Sequence, residues 1–271
     1  MCDAFSIRFG VKVLGGQRLP ILYGNRMTEN AFEAIPGSEN TPLLLLCDHA
    51  SNALPPGTGT LGLEPRLFTT HIAYDIGAAA VTRALAAAYG APALLGRWSR
   101  LLIDLNRGAD DPTLVMKLSD GSIIPGNRNA DGAEVARRIA AYHAPYHAAI
   151  AAALDRIGAG AVIVSLHSFT PSWKKTPRQW QVGVLYDRDV RLAAPLMARL
   201  AEASFTVGDN EPYTGALEGD TLNVHGTLRG LPHVLIEMRQ DLIADDAAAA
   251  QFAARLKPIL DAALGDMHSR G

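Results

Sequence analysis

Cysteine is almost missing from this 271-residue chain, with Cys2 and Cys47 standing alone. Two thiols so far apart make neither a disulfide framework nor a cysteine zinc cluster, and a reducing compartment is the simpler setting. Long apolar runs are missing as well. No uncharged stretch of 18 consecutive apolar residues occurs, and the opening "MCDAFSIRFGVKVLGGQRLP" lacks the continuous hydrophobic block of a secretory leader. The expected location is the cytoplasm, with no membrane partner. A surplus of one charge is also lacking: 25 basic residues face 27 acidic ones, for a formal net charge of -2. That balance leaves no electrostatic footprint for nucleic acid. A small molecule is the expected partner, and the pattern names no oligomeric state.

What is present is apolar bulk. With 48% hydrophobic residues, a chain of this length can bury one substantial core, so one domain over residues 1–271 is expected, its first forty or so residues peripheral. Short apolar runs with strand-like flanks occur in "PLLLLCDHA", "LLIDLNRG", "GAVIVSLHS", "WQVGVLYDR" and "LPHVLIEMRQD". Helical stretches alternate with them: about Thr69 to Tyr89, stopped by Gly90; Asp131 to Ile157, broken or kinked at Pro145; about Val190 to Ala203; and "DDAAAAQFAARLKPILDAAL" near the end. Alternation of this kind predicts a mixed, mostly parallel sheet covered by helices on both faces.

Polar residues gather where the apolar runs stop, in "CDHASN", "IDLNRG", "SLHSF" and "IEMRQD". Parallel strands deliver their C-terminal ends to one edge, so His49, Asn106, Arg107, His167 and Glu237 are expected to meet in one crevice. Two histidines from separate strands, one further oxygen ligand and an open position make a catalytic zinc site. For that oxygen, Asn52 lies three residues beyond His49, and Asp75 lies on what reads as the following helix. Asp48 and Asp104 suit an outer position, each accepting a ring N–H from a liganding histidine. Glu237, inside an apolar strand, must be either ion-paired, with Arg239 for example, or poised for proton transfer. Arg107 has the planar fork for a substrate carboxylate, or serves as a salt-bridge partner.

Together "CDHASN", "HIAYDIGA", "SRLLIDLNR", "YHAPYH", "LHSFTP", "PYTG" and "HGTLRGLPHVLIEMRQDLI" resemble the N-formylglutamate amidohydrolase family, in order from Leu43 to Ile243. That family is similar to the zinc carboxypeptidases. The resemblance implies a three-layer α/β/α fold of the phosphorylase/hydrolase type, one Zn2+ per chain, and hydrolysis of an N-acyl amino acid such as N-formylglutamate. It also implies roles: His49 and His167 as metal ligands, Asn106 and Arg107 as the grip on a substrate carboxylate, Glu237 as general base, and His225 as a substrate contact. The carboxypeptidase pattern His-x-x-Glu reads "HASN" here, so Asn52 ranks first as the third ligand, by position, and Asp75 second, by charge. An N-acyl-amino-acid or carboxypeptidase-like hydrolase, and a carboxylate-binding protein without catalysis, are the alternatives.

Other patterns carry less. "GTGTLG" (57–62) matches a dinucleotide fingerprint but follows Pro55 and Pro56 rather than a strand, and reads as a loop. His143 and His147 have the i, i+4 spacing of zinc ligands without the glutamate of H-E-x-x-H, and Pro145 lies between them. Cys47 beside Asp48 and His49 suggests a cysteine amidase, but neighbours on a strand face opposite ways.

Overall fold

The computed structural model describes residues 31–38 and 41–269. Leu43–Cys47, strand β2, is buried at every position because it runs through the middle of a sheet covered on both faces. Its odd residues, Leu43, Leu45 and Cys47, join one hydrophobic cluster, and Leu44 and Leu46 join another. The period of two thus separates two cores.

The other sheet strands are β1 (Phe32–Ile35), β3 (Ala93–Gly96), β6 (Val162–Phe169), β9 (Val182–Leu185), β10 (Val207–Asp209) and β11 (His233–Arg239). Short hairpins lie outside the sheet: β4 (Leu118–Ser119) with β5 (Ser122–Ile123), and β7 (Ser172–Trp173) with β8 (Thr176–Pro177). The seven-stranded order is β1-β3-β2-β6-β11-β9-β10. Four central strands, β3, β2, β6 and β11, are parallel, while β1 runs against β3 and β9 against β11. This is the mixed, mostly parallel sheet expected.

Helices α1 (Ala78–Tyr89), α5 (Ala193–Glu202) and α7 (Asp246–Ser269) cover the Cys47 face. The opposite face receives α4 (Ala144–Ile157) and α6 (Thr221–His225), with Tyr146, Ile150 and Leu222 in its core. Two short helices, α2 (Pro125–Arg128) and α3 (Gly132–Arg138), belong to a shell beside the sheet. Among the described residues no helix is long and apolar enough to cross a membrane. Of the N-terminal forty residues, 1–30 lie outside the described part, and Phe32–Ile35 forms the antiparallel edge of the sheet.

Three local readings need correction. "LLIDLNRG" is not a strand: Leu101, Leu102 and Ile103 are buried in consecutive turns, within a third cluster built with Leu61, Ile72, Leu114 and Ile124. Side chains replace the missing ladder, since Asn127 Nδ2 donates to the Leu101 carbonyl and Arg138 Nη1 to that of Leu102. The helix read from Thr69 begins only at Ala78, because Gly77 sits at a φ of 81° with its Cα against the Ile243 carbonyl, where an added Cβ would lie 2.1 Å away. The stretch from Asp131 to Ile157 is α3 and α4 joined by a π turn at Ile139–His143, a widening that accommodates Pro145 at the start of α4.

Candidate active site

The register of the parallel strands puts chemistry at one edge. Glu237 on β11 pairs directly with His167 on β6, and Asp48 and His49 follow the last residue of β2 beside them. His49, Asn106, Arg107, His167 and Glu237, the five residues expected to converge, all line one cavity of about 490 Å³, together with Asp75. The His49 and His167 rings meet edge to face at a centroid distance of 4.9 Å.

Each ring is tied to a carboxylate through Nε2. His49 Nε2 lies 2.6 Å from Asp104 Oδ1, and His167 Nε2 lies 2.9 Å from Asp48 Oδ2. The Nδ1 atoms turn towards Asp75, whose Oδ2 is 2.9 Å from that of His167 and 3.4 Å from that of His49. Asp75 is not on a helix but in the turn ahead of α1. Its own N–H donates to the His49 carbonyl and its Oδ2 accepts from the Ser168 N–H, so the loop is fastened to the sheet edge at two points.

The carboxylates are firmly held. Asp48 accepts from Tyr146 and Thr221 hydroxyls at Oδ1 and from Ser165 and His167 at Oδ2. Burial works against its charge, yet the hydrogen bond from His167 and the charges of both histidines hold its carboxyl well below the usual range. Asp104 is gripped by Arg100 through Nε at 3.1 Å and Nη2 at 2.7 Å, and it too is held low against burial. Arg100 also reaches Asp75 Oδ1 at 3.5 Å. Asp75 and Asp104 share the Arg100 guanidinium while Asp48 bonds the His167 ring, so carboxylates crowd the two histidines and the setting suits a cation.

The donor set fits such a cation. One donor atom each from His49, Asp75 and His167 lies within 4.8 Å of the others. His49 Nδ1 is buried without a hydrogen-bond partner, as a ligand atom kept for a metal would be. Two imidazoles and a carboxylate oxygen, each ring steadied by an outer carboxylate, match the chemistry of zinc sites.

Glu237 is a further exception. Its Oε2 is buried and has no hydrogen-bond partner among the described residues. Burial pushes its carboxyl up to about 7, Asp75 adding to the rise and the two histidines opposing it. Arg239 does not pair with it, since that guanidinium bonds Asp241 at 2.7 Å. Leaving a carboxylate unpartnered in a buried place costs several kcal/mol, so structure alone gives no reason to keep one.

These residues fall inside the segment that a model of the N-formylglutamate amidohydrolase family matches, residues 41–244. The chain belongs to that family. Among solved structures, a gene product of Agrobacterium tumefaciens superposes with a TM-score of 0.84 at 35% identity, covering 90% of this chain and 98% of the other. An N-formylglutamate amidohydrolase from Ralstonia eutropha gives a TM-score of 0.64 at 25% identity over 85% and 96% of the two chains. No curated protein sequence matches.

Within this amidohydrolase cavity the expected residues are not all present. Asn52 turns its amide to the Phe68 carbonyl at 2.7 Å and does not line the cavity. His225 lies outside it as well, its ring stacked on that of His147 at 5.2 Å. Asp48 and Asp104 bond the Nε2 atoms of His167 and His49. Cys47 points into the core beneath α1, α5 and α7 and does not line the cavity, and burial pushes its thiol well up. Arg100 was not singled out from the sequence, although its place four residues before Asp104 in "SRLLID" is the spacing at which the two bond.

Proposed function

We propose that this family member is a zinc-dependent amidohydrolase, one ion per chain, that removes the formyl group from N-formylglutamate to give formate and glutamate. His49, Asp75 and His167 would hold the metal. When bound, the ion supplies Lewis acidity, polarising the amide carbonyl and making water nucleophilic near neutral pH. Asp104 and Asp48 fix the tautomers of the two rings, so that each presents Nδ1 as the free donor atom. Arg100 keeps Asp104 ionised.

Glu237 acts as general base, taking a proton from the attacking water and returning it to the nitrogen of the departing amine. A carboxyl near 7 is matched to both transfers, being ionised often enough to accept and acidic enough to give back. Asn106 Oδ1 accepts from the Thr221 N–H, so its Nδ2 is the donor left for a ligand. Arg107, half-buried, adds a guanidinium, and the two hold the carboxylate of the amino-acid portion.

The single observation that carries this reading is the unpartnered, buried Glu237 carboxylate facing the same cavity as the His49–Asp75–His167 donor set. Formate release from N-formylglutamate, measured with the zinc-loaded protein, the chelated protein and Glu237→Gln, tests it. The expectation is turnover that a chelator abolishes and the variant lowers by about 10²–10⁴. Undiminished turnover in Glu237→Gln removes the proposed base.

A further inference from the structure

Three of the six histidines outside the donor set form a group of their own. His143, His147 and His225 are grouped beside the cavity without lining it, with ring centroids 4.1 Å apart for His143 and His147 and 5.2 Å for His147 and His225. Their contacts run to one short segment. His143 Nε2 is 2.9 Å from the Arg107 carbonyl, and His147 Nε2 is 3.0 Å from that of Leu105. The two carbonyls flank Asn106.

The segment needs outside support because it has no ladder. Leu105, Asn106 and Arg107 lie in turns, and backbone carbonyls buried there must find partners elsewhere. On the remaining sides, the Asn106 N–H donates to Asp104 Oδ1 and the Thr221 N–H donates to Asn106 Oδ1. Arg107 Nη1 folds back onto the Asn106 carbonyl, so the direction of its guanidinium follows the same stretch of backbone.

Proton placement within the group is determined. A carbonyl only accepts, so His147 carries its proton on Nε2 and presents a lone pair at Nδ1, 3.0 Å from His225 Nε2. His225 then donates from Nε2. Burial favours the neutral rings that this arrangement requires, lowering His147 to about 3 and His225 to about 4.

We propose that His143 and His147, with His225 locking the tautomer of His147, are positioning residues that hold Asn106 and Arg107 in the pose that grips the substrate carboxylate. The proposal rests on the reading of Asn106 and Arg107 as that grip. His143, at the end of the π turn Ile139–His143, stands four residues before His147 on α4, the helical spacing at which two rings meet.

Steady-state kinetics with N-formylglutamate and with its α-carboxamide analogue, on zinc-loaded wild type, His147→Phe and His147→Gln, test the idea. Wild type should prefer the carboxylate by about 100-fold in kcat/KM. In His147→Phe, which keeps a ring in the stack but no hydrogen bond, KM should rise at least about tenfold with kcat within about threefold, and the preference should collapse. His147→Gln, whose amide can donate to the Leu105 carbonyl, should recover most of the loss. A folded His147→Phe that keeps both KM and preference overturns the brace, as does one that loses zinc or kcat instead. A wild type without preference defeats the carboxylate grip itself, a distinct failure. Independently of activity and of any variant's folding, nitrogen-15 correlation spectra of the wild-type imidazoles should show His147 protonated at Nε2, and protonation at Nδ1 alone overturns the arrangement.

Discussion

Two groups of histidines flank the segment Asp104–Arg107, and they differ in what their ring nitrogens meet. His167 bonds carboxylates at both nitrogens and His49 bonds one at Nε2 with its free Nδ1 3.4 Å from Asp75, whereas His143, His147 and His225 end on carbonyls and on each other. Burial disfavours the charged ring in both places, and the partners decide the outcome. For His167 the bonds to Asp48 and Asp75 outweigh burial and raise its pKa well above the usual value. For His147 and His225 nothing anionic touches the ring and burial prevails. A histidine enclosed by carboxylates attracts positive charge, proton or metal, and one enclosed by carbonyls stays neutral and braces.

The sharpest way to break this contrast is to remove the shared carboxylate. Asp75→Asn should weaken zinc binding by at least about 100-fold in a competition titration, while His147→Phe leaves it within about threefold. Equal losses in both variants would erase the distinction between the groups.

Next come the outer carboxylates. Asp48→Asn and Asp104→Asn should each cost about 10- to 100-fold in zinc affinity, because each frees a ring to rotate and change tautomer. The same titration checks this, with melting temperatures to show that the variants fold.

The neutral group should appear in the acid limb of stability. His147 has a folded pKa of about 3 against about 6.5 when unfolded, so the unfolded chain binds the extra proton. Its contribution is fully present above pH 6.5 and is lost as pH falls towards 3. Urea unfolding of the chelated protein at pH 7 and pH 4.5 should show His147→Gln losing about 2 kcal/mol less across that interval than wild type. An equal loss would mean that the ring is free to charge in the fold.

The smallest effect belongs to Asn52. Its amide bonds a loop carbonyl, so Asn52→Ala should leave zinc affinity within about threefold. A large loss would return it to the ligand set.

How much of this could be read in advance follows from where each residue gets its position. His49, His167 and Glu237 are set by strand register, and strands announce themselves as apolar runs that stop at a polar residue, so their convergence was visible. Asp75, Arg100 and Asp104 take their places from loops, through bonds such as the Asp75 N–H to the His49 carbonyl. Such bonds have no period. "LLIDLN" looked like a strand for the same reason: burial produces the apolar run, and Asn127 and Arg138, far along the chain, supply the hydrogen bonds that a ladder would have given. "YHAPYH" showed its spacing but not its purpose, since backbone carbonyls leave no mark in a sequence. The choice between Asn52 and Asp75 turned on a local analogy against charge, and the geometry favours charge.

The central claim is that strand-borne histidines and a loop-borne aspartate share one divalent ion. Anomalous diffraction at the zinc edge from crystals of the zinc-loaded protein tests it most directly. A single peak bonded to His49 Nδ1, Asp75 and His167 Nδ1 is the predicted result. A peak that excludes Asp75, or one centred on His143, His147 and His225, would contradict it.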